Sequence, residues 1–471
     1  MTWWRDGAIY QVYPRSFQDS DGDGTGDLRG VRRRLPYLKW LGVDGVWLSP
    51  FYRSPMADFG YDISDHRDVD PVFGTLNDFD ALVAEAHRLG LKLILDYVPN
   101  HTSIEHPWFR ERPEFYLWAD EVPNNWVSNF GGPAWTRDDA SGRFYYHAYL
   151  EQQPDLNWRN EDVRAAMLDV LRFWCERGAD GFRIDALRQV IKDARLRDNP
   201  PNPDWNEGDD PYWALLPEFT SDRPELQDVI RQFRDAVGED RLLLGELYLP
   251  IERLMAYYAS GLDMPANFHL LTTPWTARDV ADLIERYEGA LPDGAWPNWV
   301  LGNHDRPRLA SRLPPGHERA AAYLLLTLRG TPTLYYGDEI GMHDVEIPPD
   351  KRVDPWAFGN RDPVRTPMQW DAAGSFTTAR EPWLPFAADH GRVNVEAQRD
   401  DPSSLLSLYR RLLALRRTEP DLRTGAYRTL SADDNVLRFA RGDTFEVTID
   451  FETGAAALIR SAHGPDRVNE W

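Results

Sequence analysis

The chain has 471 residues, is 42% hydrophobic and carries a formal charge of −23. That length supports a large core with appended modules, and the apolar content excludes a disordered polymer. The acidity argues against a surface built for nucleic acid.

No run of about 18 apolar residues occurs, so no membrane span is expected. The opening MTWWRDGAIYQVYP has no basic stretch followed by an apolar one, and no secretory leader is expected. Cys175 is the only cysteine. No intrachain disulfide is open to it, which suits a reducing compartment, and a cytoplasmic location is expected. The sequence says nothing about oligomeric state.

Short apolar runs predict buried strands at residues 8–13, 45–49, 91–98, 181–185, 242–247, 299–302 and 333–336, with a weaker one at 261–268. Helical periodicity lies between them, for example at 76–89 and 163–177, each followed by a glycine stop, Gly90 and Gly178. Repeated strand–helix alternation means a parallel sheet, and eight strands over this length predict a (β/α)8 TIM barrel. Residues 1–100 form its first part. The segment 101–161, rich in Pro, Asn and Trp, reads as an inserted domain. The barrel resumes over 162–392, with a second insertion at about 193–225. Residues 393–471 read as a small C-terminal β domain, entered through a helix near 404–417.

Polar residues sit where the strands end. The third strand ends in DYVPNH (96–101), the fourth in GFRIDA (181–186), the fifth in GEL (245–247) and the seventh in NHD (303–305). Barrel enzymes gather their catalytic groups at the C-terminal ends of strands. Charges there are costly unless paired or used. A single such charge reads equally well as a structural salt bridge; four converging on one mouth favour a site. Glycoside cleavage needs one carboxylate to attack and one carboxyl group to donate a proton. Asp185 and Glu246 supply that pair, with Arg183 two residues before Asp185 on the same strand face. Asp305 is a third carboxylate that could stabilise developing positive charge.

These motifs, in this order and spacing, resemble the α-amylase family, glycoside hydrolase family 13. The likeness covers essentially the whole chain and is closest to the α-glucosidase and oligo-1,6-glucosidase branch. QPDLN (153–157), GYDISDHRDVDPVFGT and RTPMQW (365–370) strengthen it. The resemblance implies a nucleophile at Asp185, an acid/base at Glu246 and a transition-state stabiliser at Asp305. It implies that Asp62, His101, Arg183 and His304 bind the terminal glucose and that Tyr61 stacks under its ring. An Asp–Arg pair should close the pocket behind that glucose: Asp62 with Arg365, or with Arg361 as the alternative. Phe144, or another aromatic of the inserted domain, is expected to wall the pocket.

In this branch the residue after the nucleophile tends to be Val in α-1,6-specific enzymes and smaller in those acting on α-1,4 bonds. The closing Asp–Arg pair implies an exo-acting α-glucosidase, and Ala186 implies a preference for maltose-type substrates over isomaltose. A glucosyltransferase, a trehalose synthase-type isomerase and an oligo-1,6-glucosidase are the alternatives. A non-catalytic, transporter-associated relative is disfavoured because all three carboxylates are kept.

A second site is expected at Asp19-Ser20-Asp21-Gly22-Asp23-Gly24-Thr25-Gly26-Asp27, which places oxygen ligands at alternate positions as in a calcium loop. Gly30 stands where an EF-hand has its bidentate Glu, so it is not an EF-hand. The resemblance implies a structural Ca2+ held by Asp19, Asp21, Asp23, Thr25 and Asp27, against the plainer reading of a metal-free turn. No organic cofactor is expected. The expected partner is a small oligosaccharide, and neither nucleic acid nor membrane is expected to bind.

Overall fold

The computed structural model describes residues 2–356, 359–433 and 435–460. Residues 461–471 of the expected C-terminal domain lie outside that set. Eight strands form one parallel sheet. They are β1 (Ile9–Val12), β2 (Gly45–Leu48), β3 (Lys92–Tyr97), β4 (Gly181–Ile184), β5 (Leu242–Gly245), β6 (Met264–Pro265), β7 (Asn298–Val300) and β8 (Thr331–Tyr335). The first and last strands meet, because β1 pairs with both β2 and β8. This is the (β/α)8 arrangement. Among the described residues no ladder joins β6 to β7. β6 is two residues long, and Pro265 has no N–H to extend it.

Alternation along each strand separates two cores. Ile9, Trp47, Ile94, Leu242 and Val300 fill the barrel interior. Tyr10, Val46, Leu95, Phe182 and Leu243 face the helices. Those helices include α1 (Leu28–Leu41), α2 (Leu76–Arg88), α3 (Glu161–Glu176), α4 (Leu226–Val237), α5 (Ala277–Ala290) and α6 (Glu318–Thr327). α2 starts on a capping box between Thr75 and Asp78. Beyond α2 and α3, Gly90 and Gly178 adopt the left-handed backbone that stops a helix, at φ 72° and 96°.

Between β3 and α3 the chain builds a three-stranded antiparallel sheet from Trp118–Ala119, Trp135–Arg137 and Phe144–Tyr146. Buried Lys192, just beyond β4, pins this insertion to the barrel. It pairs with Asp155 of the QPDLN motif and donates to Asn100 Oδ1 at 2.7 Å.

At the other end, helix α7 (Leu405–Thr418) packs on α6 and leads to a meander of β9 (Tyr427–Asp433), β10 (Val436–Arg441), β11 (Phe445–Asp450) and β12 (Ala456–Arg460). Two buried guanidinium groups join this sheet to the barrel. Arg416 donates to the carbonyls of Leu326, Leu328 and Gly330. Arg441 donates to those of Thr327, Asp421, Leu422 and Gly425. No helix among the described residues is long and apolar enough to cross a membrane.

Candidate active site

Strand register assembles the site. Asp96 on β3 lies beside Arg183 on β4, and Arg183 beside Leu244 on β5. The ladder continues one step past the strand ends: the Asp185 N–H donates to the Tyr97 carbonyl at 2.8 Å, and the Glu246 N–H to the Ile184 carbonyl at 2.9 Å. Three carboxylates therefore converge on one guanidinium. Arg183 lies 2.8 Å from Asp96 Oδ1, 2.6 Å from Asp185 Oδ1 and 2.8 Å from Glu246 Oε1. The Ala186 N–H donates to the other Glu246 oxygen at 2.8 Å.

One cation cannot neutralise three buried anions, so the two aspartates hold protons more tightly than free carboxylates do. Burial raises the pKa of Asp185 against the pull of Arg183, and the charges of Glu246 and Asp96 add to the rise. Burial likewise pushes Asp96 up to about 6, again against Arg183. Asp305 behaves in the opposite way. Burial would raise it, but His304, Arg365 and Arg361 hold it well below the usual carboxylate range. Burial also keeps His304 neutral, so the two arginines supply the permanent charge. Aspartates with raised proton affinity beside a carboxylate held ionised give this mouth both proton-exchanging and charge-stabilising groups.

Asp185, Glu246, Asp305 and Arg361 line a cavity of about 170 Å³ with Tyr61, His101 and His304. The Tyr61 hydroxyl reaches Asp96 Oδ2 at 3.1 Å and His304 Nε2 at 2.7 Å, and its ring is parallel to the imidazole. The Gln11 amide donates to His304 Nδ1 at 2.8 Å, which leaves the proton on Nε2, 3.3 Å from Asp305.

The closing pair differs from the expectation of Asp62 with Arg365. Asp58 and Arg361 line the cavity and meet at 2.6 Å. Asp62 is fully buried, and its carboxylate accepts from Ser54 Oγ and from the backbone N–H groups of Ala57 and Asp58. It ties down a turn in which Met56, Phe59 and Gly60 all have positive φ, and that turn presents Asp58 to the pocket. Arg365 lies beneath Asp305, donating to its Oδ1 at 2.9 Å and to the His304 carbonyl at 2.9 Å. It orients Asp305 and does not line the cavity.

Phe144 is also displaced from its expected place. It lies two residues before Tyr146 on one strand, so both face the inserted domain's own cluster with Trp126 and Trp135. Phe130, Tyr149 and Trp356 form the aromatic wall instead, with the Arg361 guanidinium 5.1 Å from the Phe130 ring centre. Gln153 of QPDLN bridges Asp58 and His101, at 3.1 Å each.

In the acidic loop, carboxylate oxygens of Asp19, Asp21 and Asp27 lie within 4.8 Å of one another. Asp23 stands outside this trio, accepting from the Thr25 N–H at 2.7 Å. Burial raises the pKa of Asp27. Burial would raise Asp19 too, but the Thr377 hydroxyl and the N–H groups of Gly22, Gly24 and Asp21 hold it down. No described arginine or lysine forms an ion pair with any of the trio. Uncompensated oxygens of this kind fit a hard divalent cation.

A barrel carrying paired carboxylates at its mouth, closed at one end by an ion pair, belongs to the class of sugar-cleaving enzymes. The Alpha-amylase family model (alpha amylase, catalytic domain) matches residues 11–425. The chain belongs to this family of glycoside hydrolases. It is 41% identical to a "Probable alpha-glucosidase" of Rhizobium meliloti (strain 1021) over 93% of this chain and 87% of that one. It is 39% identical to "Maltase A1" of Drosophila melanogaster over 94% and 85%. Among solved structures, an "alpha-glucosyl transfer enzyme, XgtA" superposes with a TM-score of 0.91 at 40% identity, covering 96% of this chain and 91% of that one.

Proposed function

We propose that the protein is a retaining, exo-acting α-glucosidase that releases glucose from the non-reducing end of short α-1,4-linked glucosides such as maltose. The observation that carries this reading is the sharing of Arg183 by Asp185 and Glu246. Two carboxyl groups on one guanidinium favour the separation of about 5–5.5 Å used for retention over the wider spacing used for inversion. Asp185 attacks the anomeric carbon while Glu246 gives its proton to the departing oxygen. Water then attacks the glucosyl ester, losing its proton to Glu246 and freeing Asp185. Asp305 faces the positive charge that develops between these steps. The Asp58–Arg361 pair supports exo action, because it leaves no room for a sugar beyond the terminal one.

Ala186 supports the α-1,4 preference. Its methyl lines the cavity, and its φ of 47° disfavours a β-branched replacement. The α-glucosidase and maltase relatives favour hydrolysis. The glucosyl transfer enzyme and the trehalulose synthase MutB, 32% identical with a TM-score of 0.87, favour glucosyl transfer as a side reaction of the same intermediate.

We also assign a structural Ca2+ to Asp19, Asp21 and Asp27. That ion would lock the loop that Asp27 joins to α1, and no catalytic step runs through it.

The test is separate incubation with maltose, isomaltose, trehalose and sucrose, identifying every product. Glucose mainly from maltose is expected. Trehalose accumulating from maltose would replace hydrolysis with isomerisation, and a higher kcat/KM for isomaltose would overturn the linkage preference.

A further inference from the structure

Gln11 is a polar side chain inside the barrel that does not line the catalytic cavity. It is fully buried on β1, two residues after Ile9 and so on the same inward face. Its amide nitrogen donates to Ser49 Oγ at 3.2 Å and lies 2.8 Å from His304 Nδ1, so both of its hydrogens are placed. An amide nitrogen donates and does not accept. Nδ1 must therefore stay bare to meet it, and a proton added there would have no acceptor.

The other surroundings of His304 pull both ways. Its Nε2 lies 2.7 Å from the Tyr61 hydroxyl and 3.3 Å from Asp305 Oδ2. Asp305 favours a charged ring, while burial, Arg365, Arg183 and Arg361 oppose it. The remaining carboxyl groups of the mouth, Asp96, Asp185 and Glu246, converge on Arg183. Tyr13 stacks on the imidazole at 6.1 Å and Trp47 meets it edge-on at 6.2 Å, and both are uncharged. A charged His304 would be a third cation against Asp305, beside Arg361 and Arg365. It would cancel the negative charge that has to face the glycosyl centre as positive charge develops. A neutral ring orients Asp305 through Nε2 and leaves that charge in place.

We propose that Gln11 is a positioning residue that keeps His304 uncharged, with its one proton on Nε2, so that Asp305 faces the substrate as an anion. The inference rests on the α-glucosidase reading above. Gln11 touches no substrate and acts only through the ring it faces.

The test reads the ring and the rate separately in the wild type, Gln11→Met and Gln11→Glu. Met keeps the length of the side chain and removes the donor, and Glu keeps the shape and puts an acceptor against Nδ1. Nitrogen NMR of protein carrying isotope-labelled histidine, with the His304 signal assigned from His304→Gln, reports where the ring protons sit. The wild type should show a bare Nδ1 and a protonated Nε2 from about pH 5 to 8, Gln11→Met should titrate within that range, and Gln11→Glu should carry both protons at about pH 7. Activity falls as the ring gains its charge. The acid limb of the kcat profile on maltose should therefore move up by about one pH unit in Gln11→Met, with an alkaline rate within about threefold of the wild type. In Gln11→Glu, kcat at about pH 7 should fall by about 100-fold. A packing role would lower the rate at every pH and leave the limb in place, and that result overturns the proposal. A proton on Nδ1 in the wild type would mean that Gln11 presents its oxygen, and overturns it too. Wild-type enzyme that cleaves no α-glucoside overturns the α-glucosidase reading, and the protonation of the ring is then judged by its own signal.

Discussion

The molecule gathers carboxylates in two places and treats them in opposite ways. At the barrel mouth, Asp96, Asp185, Glu246 and Asp305 are met by Arg183, Arg361 and Arg365, cations the chain supplies from neighbouring strands and loops. In the loop after β1, Asp19, Asp21 and Asp27 are met only by N–H and hydroxyl groups. Built-in cations fix the number of protons a cluster keeps, which chemistry needs. Neutral donors leave charge uncompensated, which suits an ion taken from solution. The same residue type thus serves reaction in one place and fastening in the other, according to what surrounds it.

Replacing members of each cluster sharpens this contrast. The largest effect is expected for Asp185→Asn, which removes the attacking oxygen and should lower kcat on maltose by at least about 10⁴-fold. An undiminished rate would show that Asp185 is not the nucleophile. Arg361→Ala opens the closed end of the pocket and leaves Asp58 unpaired. It should cost about 100-fold in kcat/KM for maltose and relax the preference for the terminal bond, read from the products of a longer maltooligosaccharide.

Asp96→Asn removes a negative charge that raises Asp185. The nucleophile works ionised, so activity falls as pH drops through its raised pKa. With Asp96 neutral that pKa falls, and the acid limb of the kcat/KM profile should move to lower pH, with a plateau loss of roughly tenfold. A limb that stays in place would break the electrostatic account of the cluster. The smallest effect belongs to the other cluster. Chelation should lower Tm by about 3 °C without abolishing turnover, and Asp21→Asn should remove that sensitivity. An unchanged melting curve in chelator would leave the loop a metal-free turn.

What was legible in the sequence follows from where each feature is encoded. The barrel strands and the positions of Asp185, Glu246 and Asp305 were readable because each lies at the end of a local apolar run. The closing pair was harder. Asp58 and Asp62 share one turn, and Arg361 and Arg365 one short segment, so spacing does not say which member turns inward. That choice is made by the positive φ angles at Phe59 and Gly60 and by the three donors that claim Asp62. Phe144 carried a usable signal, since it shares strand parity with Tyr146.

The joint between the barrel and the C-terminal sheet has a consequence for how this protein can vary. Arg416 and Arg441 grip carbonyl oxygens, not side chains. Every residue has a carbonyl, so this grip does not itself read the identities at 326–330 and 421–425; those are held separately, by the burial of Leu326, Leu328 and Leu422 and by the positive φ of Gly330. The donors of that joint come from two guanidinium groups, each able to aim several at once, as an ammonium on a flexible stem cannot. In lineages that keep this joint, neither arginine should give way to lysine, whose single ammonium cannot reach the same set of carbonyls.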